Sequence, residues 1–312
     1  MQAAMKFINV DLAGLEDHEA YLKFCQSLED LLARFHTVFK IHLSAASPSS
    51  PFFGRFCHRF HSRGLQLFCV TNAIWDQEIL DSLWEVPLEV LGFWVESTHT
   101  ETNEELRPGE GLSKALQCFR ILKERDCSTK TVFYTNFLEE NLSEISRIYN
   151  FVQHQPWVDH LLLQFHGTQT PAQLREFRDL SEVQGTSLKE LPSSLLNFLW
   201  KMVSEETVLL NPMEQIGFWR DFMKSSGEEL GSNLSLNCAS GVPFALLSFK
   251  NGLQYHCPRF NESSHYFHSD EFHQLCYPKI QSCTAFCHFR WNYLGQKSEK
   301  HLEQRIRSAF VL

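Results

Sequence analysis

Residues 6–12 consist of KFINVDL, residues 39–43 consist of FKIHL, and a helical pattern lies between them. Both segments are short and apolar, which favours β-strands. Between them, apolar side chains recur every three or four residues over Asp17–Phe35, and this spacing predicts an amphipathic helix. A strand, a helix and a second strand in this order predict parallel strands joined by a right-handed crossover.

The same alternation continues along the chain. Further strands are predicted over Leu65–Thr71, Leu88–Glu96, Lys130–Thr135 and Val158–Phe165. Helices are predicted over Pro51–Arg63, Ala73–Leu83 and Leu112–Arg125. Another helix is predicted to begin at Asn141, where Glu144 completes a capping box. The acidic run Glu101–Glu110 is predicted to be a solvated loop. The sequence therefore predicts an α/β fold with parallel strands, a six-unit partial (β/α) barrel over residues 1–185.

The rest of the chain differs in character from this barrel. Residues 186–235 are predicted to be a helical linker region, with helix throughout Leu191–Ser225. Residues 236–312 are rich in Cys, His and Phe and predict a small Cys-rich second domain. It contains a predicted hairpin, with strands over Phe244–Lys250 and Leu253–Cys257 and a turn at Asn251 and Gly252.

The composition excludes several classes of protein. The 312 residues are 43% apolar and 21% charged, as is usual for a chain with a buried core. The net charge of −9 argues against nucleic acid as a partner, because a phosphate-binding surface needs excess cations. No apolar run approaches the roughly 18 residues that span a bilayer, so no membrane association is expected, and the first residues lack a signal-peptide pattern. We therefore expect a cytoplasmic protein whose ten cysteines are thiols or metal ligands.

Five of the ten cysteines lie in the C-terminal segment: Cys238, Cys257, Cys276, Cys283 and Cys287. The predicted hairpin ends at Cys257, and a hairpin can bring distant thiolates to one point, as a metal ion or an iron–sulfur cluster requires. Zinc is a competing ion, because it accepts four thiolates, or three thiolates and a histidine. The alternative is that these cysteines are reduced, buried side chains that bind no metal.

Polar residues also follow the predicted barrel strands at their carboxyl ends, which form the functional edge of such a barrel. His42, Glu96 and His166 stand at three of these ends. A glutamate and two histidines that converge there would suit a divalent metal or acid–base catalysis. The alternative is that polar residues simply cover the open edge of the barrel.

The spacing Cys-x13-Gly-x4-Cys over Cys238–Cys257, followed by Cys283-x3-Cys287, resembles the SPASM (auxiliary cluster) domain of radical S-adenosylmethionine enzymes. Residues 1–185 resemble the six-unit partial barrel of that superfamily. Four short segments stand where the superfamily has its motifs: Ser44–Pro48, Val70–Ala73, Leu106–Leu112 and Asn141–Ile145. The order and spacing of these segments carry the resemblance, which covers nearly the whole chain.

The resemblance also identifies what this sequence lacks. The superfamily holds its catalytic four-iron cluster with a Cys-x3-Cys-x2-Cys motif after the first strand, and here no cysteine precedes Cys25. Ala45, Ala46 and Ser47 stand where the superfamily has two glycines and a glutamate next to S-adenosylmethionine. The resemblance therefore implies a degenerate member, for which neither binding nor cleavage of S-adenosylmethionine is expected.

For the C-terminal domain, the resemblance implies at most one auxiliary cluster. Cys238, Cys257 and Cys287 would supply three ligands, and Cys283 or alternatively Cys276 would supply the fourth. A [4Fe–4S] cluster, a zinc ion and a metal-free domain all stay open from the sequence.

These patterns lead us to expect a protein that acts by binding, as a peptide- or protein-recognition subunit of a maturation complex or of another complex. One alternative is a non-radical, metal-dependent enzyme that uses the barrel edge. Another is a SPASM-type iron–sulfur protein. Neither enzymatic activity nor the oligomeric state is decided by the sequence.

Overall fold

The structure is a computed structural model of the chain. It describes residues 7–34, 40–71, 85–107, 111–165, 191–205, 208–211, 213, 216–217, 220, 245–248, 252–257 and 260–264. The predicted helix Ala73–Leu83 lies outside these residues. Within them, no helix combines the length and the apolar character that a membrane span requires.

Six parallel strands lie side by side in chain order. They are β1 (Phe7–Asp11), β2 (Lys40–Leu43), β3 (Gln66–Thr71), β4 (Val90–Trp94), β5 (Lys130–Phe137) and β6 (His160–Phe165). Each strand pairs in parallel with its predecessor, for example Ile8 with Ile41 and Leu43 with Cys69. The predicted α/β class with six parallel strands is confirmed.

Helices connect the strands. They are α1 (His18–Arg34), α2 (Phe53–His61), α3 (Thr100–Leu106), α4 (Leu112–Glu124) and α5 (Ile145–His154). A further helix, α6 (Ser193–Ser204), follows β6. α2 is amphipathic, because Phe53, Phe56, Cys57 and Phe60 are buried while the residues between them face solvent. Gly64 follows α2 at a φ of +81°, a conformation that glycine adopts without strain, and the chain then enters β3.

The two faces of the sheet carry different apolar clusters, because alternate residues of a strand point to opposite sides. The helix-covered face holds the larger core, which includes Ile8, Ile41, Leu67, Leu91 and Phe133. The other face holds a smaller cluster, which we call the inner cluster: Phe68, Val90, Trp94, Val132, Tyr134 and Leu162. Gly92 lies on this second face, where a side chain would collide with the ring of Tyr134.

Two predictions near the end of β4 and β5 are wrong. The acidic run is not wholly a loop, because its first part forms α3, held to the sheet by the buried Asn103 side chain, which accepts the N–H of Glu96 (2.9 Å). Asn141 does not cap a helix with Glu144. It is fully buried, and α5 begins only at Ile145. In both cases a buried asparagine side chain bonds to groups at the end of β4, Asn103 to the N–H of Glu96 and Asn141 to its carbonyl, and the local pattern does not reveal these contacts.

Residues 208–211 are extended, although the sequence predicts continuous helix over Leu191–Ser225. Leu209 forms a parallel bridge with Leu161 of β6. The side-chain amide of Asn211 accepts a hydrogen bond from the N–H of Leu163 (2.8 Å) and donates to its carbonyl (2.7 Å). The segment leaves the helical path because it satisfies backbone groups along β6 that would otherwise be buried without partners.

The predicted C-terminal hairpin is present and extends the same sheet. β7 (Ala245–Ser248) pairs antiparallel with β8 (Gly252–Cys257), which pairs with β9 (Phe260–Ser264). β7 also pairs in parallel with β1, so the nine strands form one sheet. Gly252, predicted in the turn, instead pairs with Ser248 as the first residue of β8. The domain boundaries at residues 185 and 236 stay predictions.

Candidate functional site at the carboxyl edge of the sheet

The connection between β1 and α1 lies at the carboxyl end of the first strand, where the superfamily places its cluster motif. Leu12 and Leu15 are fully buried in the helix-side core, and the N–H of Leu15 donates to the carbonyl of Leu12 (3.2 Å). Gly14 has a φ of +73°, which this turn requires. The connection is therefore a short turn whose apolar side chains are packed into the core.

Two serines after β2 hold this turn against the sheet. The Ser47 hydroxyl accepts the N–H of Leu12 (3.2 Å) and donates to the carbonyl of Val10 (3.3 Å). The Ser44 hydroxyl lies 2.9 Å from that of Ser47 and donates to the carboxylate of Asp11 (2.7 Å). We call these hydroxyls and Asp11 the serine cluster. It joins the ends of β1 and β2 through groups without a buried charge.

The residues at this place do not fit a four-iron cluster, which needs thiolate ligands. The side-chain donors and acceptors present are one carboxylate and hydroxyls, including Ser50, which donates to the carbonyl of Leu15 (3.1 Å). Cys25 lies within α1, seven residues after its first residue His18, and its side chain is fully buried. Burial raises the pKa of its thiol.

Three further thiols on this part of the chain are equally unsuited to bind a metal. Cys57, Cys69 and Cys118 are buried, and burial raises the pKa of all three thiols, that of Cys118 to about 12. A cysteine binds metal as the thiolate, so these positions disfavour ligation. Among the residues that the structure describes, no three His, Cys, Asp or Glu side chains are grouped to hold a metal ion.

The residues that the resemblance aligns with contacts to S-adenosylmethionine have other partners. Ser47, in place of the glutamate, bonds within the serine cluster and begins a short 3-10 turn over Ser47–Ser49. The carbonyl of Ala45 accepts the hydroxyl of Thr71 (2.8 Å), and that of Ala46 accepts the hydroxyl of Ser49 (2.7 Å). This segment supplies no carboxylate for the methionyl amino group, so it does not fit the cosubstrate.

A buried glutamate lies at the same edge, beyond β4. Glu96 is fully buried, and its carboxylate accepts four hydrogen bonds. Arg107 Nε and Asn136 Nδ2 donate to Oε1 (2.7 and 2.6 Å). The Asn136 N–H and Asn141 Nδ2 donate to Oε2 (2.7 and 3.3 Å). Because every partner is a donor and one is cationic, this is the environment of an ionised carboxylate.

Three buried asparagines complete this arrangement, which we call the Glu96 network. Asn141 Nδ2 also donates to the carbonyls of Glu96 (3.1 Å) and Asn136 (2.9 Å). Its Oδ1 accepts the N–H of Leu138 (2.9 Å), and Asn103 accepts the N–H of Glu96 on the other side. The side-chain amides thus replace backbone partners that the ends of β4 and β5 lack.

The charge of Arg107 balances that of Glu96. Its side chain is 11% exposed, and the guanidinium carbon lies 4.7 Å from the centre of the Trp94 ring. Burial raises the pKa of Glu96, while the charge and hydrogen bond of Arg107 and the donors of Asn136 act in the opposite direction. Each carboxylate oxygen already accepts two hydrogen bonds, which suits a structural ion pair better than a proton-transfer group.

The structure places only two of the three predicted barrel-edge residues. His42 stacks on Phe68, with ring centroids 5.0 Å apart, on the face of the inner cluster. Glu96 follows β4, so the strand β3 lies between the two. His166 lies outside the described residues. The convergence of His42, Glu96 and His166 on one ligand therefore stays a prediction.

Of the five C-terminal cysteines that are predicted to bind a metal or a cluster, the structure describes one, Cys257. Cys257 is the last residue of β8, in the hairpin next to β1. Cys238, Cys276, Cys283 and Cys287 lie outside the described residues. The prediction of one metal or cluster at these cysteines stays untested.

Sequence reasoning does not find the partners of Glu96. Arg107 lies in a polar run that predicts a solvated loop, and Asn141 fits a helix cap equally well. The only available signal is positional, because Asn136 follows the fifth predicted strand at its carboxyl end. Such a position suggests the edge but not the bonding partner.

Comparison with known proteins supports the architecture. Residues 16–152 match the family model described as the radical SAM superfamily. Among solved structures, SuiB from Streptococcus suis bound to its precursor peptide SuiA matches with a TM-score of 0.57 and 10% identity over 90% of this chain and 66% of SuiB. SuiB bound to S-adenosylmethionine matches with a TM-score of 0.57 and 9% identity over 89% of this chain and 63% of SuiB. No curated protein matches the sequence.

The matched segment, residues 16–152, is a little under half of the chain and is similar to the radical SAM superfamily. The chain shares the fold of SuiB at an identity too low to carry function across, and it spans about two thirds of the length of the SuiB chains, 63% to 67%.

Proposed function

We propose that this chain is a binding member of the radical SAM superfamily, which recognises a peptide or protein segment and does not cleave S-adenosylmethionine. The packing of the β1–α1 connection carries the proposal. Leu12 and Leu15 are buried there, and the serine cluster bonds the turn to the sheet. A cluster loop would have to displace these side chains and break these bonds.

The peptide part of the proposal has independent support. SuiB, whose fold this chain shares, is seen bound to its precursor peptide SuiA. The negative net charge also disfavours nucleic acid as the alternative macromolecular partner. A maturation complex, in which this chain presents a peptide to an active enzyme, is the setting that we favour.

A metal in the C-terminal segment is compatible with this role. We place one [4Fe–4S] cluster or one zinc ion at Cys238, Cys257, Cys287 and either Cys283 or Cys276. The hairpin that ends at Cys257 is joined to the central sheet through the pairing of β7 with β1, so the sheet would hold this ligand in a fixed position. Free thiols in such number suit a reducing compartment, and we place the protein in the cytoplasm.

The first test asks whether the protein cleaves S-adenosylmethionine. The protein is reconstituted with iron and sulfide in the absence of oxygen and is then mixed with S-adenosylmethionine and the reductant dithionite. We expect no 5′-deoxyadenosine by chromatography, while a superfamily enzyme with all three motif cysteines produces it under the same conditions. Sustained formation of 5′-deoxyadenosine would overturn the proposal. Cys257→Ala in parallel reports the C-terminal site, because it should remove about four irons and four sulfides, or one zinc.

Peptide binding is tested by selection from a displayed random peptide library against the immobilised full chain. We expect enrichment of a related set of sequences that also bind in solution as synthetic peptides, measured by fluorescence anisotropy. Failure to enrich any sequence over a blank support, in repeated selections, would remove peptide recognition from the proposal.

A further inference from the structure

The solvent side of α2 carries a row of cationic and titratable side chains. Arg55, His58 and His61 are exposed there, spaced three residues apart, so they share one side of the helix. The opposite side of α2 is anchored in the core by phenylalanines. We call the exposed row the α2 face.

This face lies in a part of the chain without any carboxylate. Residues 31–75 contain neither Asp nor Glu, although the whole chain has 37 of them and a net charge of −9. Composition alone would scatter acidic residues through a stretch of this length. Positive charge is therefore concentrated on α2 in a protein that is otherwise acidic.

The neighbouring helix α1 neutralises two arginines that lie beside this row. Glu29 of α1 pairs with Arg59 (2.6 Å) and with Arg63 (2.8 Å). Arg55 and His58 form no ion pair with any residue that the structure describes. The charge of Arg55 is therefore available to a partner, whereas that of Arg59 is already balanced.

We propose that the α2 face is the docking site for an acidic segment of the peptide or protein partner. The inference rests on the proposed binding function and names the chemistry that the partner must supply. Arg55 offers a planar fork that matches a carboxylate with two hydrogen bonds, and the two histidines add donors one helical turn along. The acidic remainder of the surface repels such a segment and so directs it to α2.

An acidic peptide fits this face better than a nucleic acid does. The helix has nine residues, so the face spans little more than two turns, and a polyphosphate strand would run on into acidic surface. A short row of Asp or Glu ends where the face ends.

The test measures binding of a fluorescein-labelled hexaglutamate peptide to the full chain by anisotropy at low salt. The reversal variant is Arg55→Glu with His58→Glu. The matched control is Arg120→Glu with His154→Glu, the same residue types on α4 and α5. We expect about tenfold weaker binding for the reversal variant and less than about twofold for the control. Circular dichroism and thermal unfolding show that both variants fold.

The outcomes separate this inference from the function on which it rests. Equal weakening in both variants, or no binding of hexaglutamate to the wild type, overturns the α2 face. Tighter binding of a single-stranded oligonucleotide of equal charge overturns the acidic-peptide assignment in favour of nucleic acid. A change of oligomeric state in the reversal variant alone, seen by light scattering, overturns it in favour of an acidic surface of a second copy. Library peptides that bind both variants equally leave the proposed function standing and refute only the α2 face.

Discussion

The carboxyl ends of β1 and β4 lie on the same edge of one sheet, yet their polar groups are satisfied in different ways. At β1 the serine cluster uses hydroxyls and a partly buried carboxylate. At β4 the Glu96 network uses a fully buried carboxylate, a guanidinium and three asparagines.

The difference shows where the fold depends on charge. A neutral hydrogen bond contributes about 0.5–1.5 kcal/mol, so the serine cluster can lose one partner and survive. A buried charge that loses its counterion costs about 3–5 kcal/mol. The part of the edge that lacks the superfamily's cluster motif is thus more tolerant of change than the Glu96 network.

Removal of the cation from the Glu96 network should have the largest effect. Arg107→Met leaves Glu96 buried without a counterion and should lower the free energy of unfolding by about 3 kcal/mol or more. Urea denaturation measures this loss, with Arg147→Met as the control, because Arg147 is 64% exposed in its ion pair. The comparison fails if the two variants lose the same stability.

A second variant tests the packing beneath this network. Gly92→Ala brings a methyl group against the ring of Tyr134 and should cost about 2 kcal/mol through overpacking. Adding Tyr134→Leu should recover part of this loss, since it removes the ring. If Gly92→Ala alone is neutral, the inner cluster is less closely packed than the structure indicates.

The half-buried ion pair between Asp159 and Lys123 shows how pairing and burial act in opposite directions on the pKa of a carboxyl group. Asp159, 23% exposed, accepts Lys123 Nζ (2.7 Å) and the N–H of Thr131 (2.8 Å). Burial alone would raise the pKa of Asp159, but these hydrogen bonds outweigh it and hold the pKa below the ordinary value. Asp159→Asn should therefore cost about 1.5 kcal/mol near neutral pH.

The pH dependence of that loss follows from the direction of the shift. A carboxyl whose pKa is lower in the folded state stabilises the protein above its unfolded-state pKa of about 3.9 and loses this contribution as the pH falls through the folded-state value. The stability difference between wild type and Asp159→Asn should shrink as the pH falls below about 4. A constant difference across this range in urea titrations would show that the pair does not act through ionisation.

The serine cluster should respond more weakly. Ser47→Ala leaves the N–H of Leu12 without its acceptor and should cost about 1 kcal/mol. Ser49→Ala is the matched control, because that hydroxyl is exposed and bonds only to the nearby carbonyl of Ala46. A Ser47→Ala loss as large as that of Arg107→Met would contradict the proposed tolerance of this end of the edge.

The smallest effect is expected away from the edge. The Tyr149 hydroxyl is buried and has no hydrogen-bond partner among the described residues, so Tyr149→Phe should be neutral or stabilising by up to about 1 kcal/mol. Thr135→Val is the contrasting variant, because the buried Thr135 hydroxyl donates to the carbonyl of Val95 (2.6 Å). Thermal unfolding of both variants checks the sign, and destabilisation by Tyr149→Phe would indicate a bonded hydroxyl.

The regular elements were predictable because their signals are local. The periodicity over Asp17–Phe35 predicts α1 to within one residue at each end, and the eight predicted strands differ from their observed bounds by two residues or fewer. The strand β9 was not predicted. The absence of a cysteine before Cys25 already argued against a catalytic cluster. Elements whose partners are distant were less predictable, as the extended segment at Leu209 shows.

The sequence by itself determined the alternation of strands and helices, the charge asymmetry of residues 31–75 and the missing cluster motif, since each is a property of neighbouring residues. Only the tertiary structure decided that Asn141 bonds to Glu96 across 45 positions and that Ser47 bonds to Leu12 across 35. Parallel pairing brings the carboxyl ends of separate strands to one edge, where unpaired backbone groups need partners. Which side chains meet there depends on strand register, and register is a property of the whole sheet.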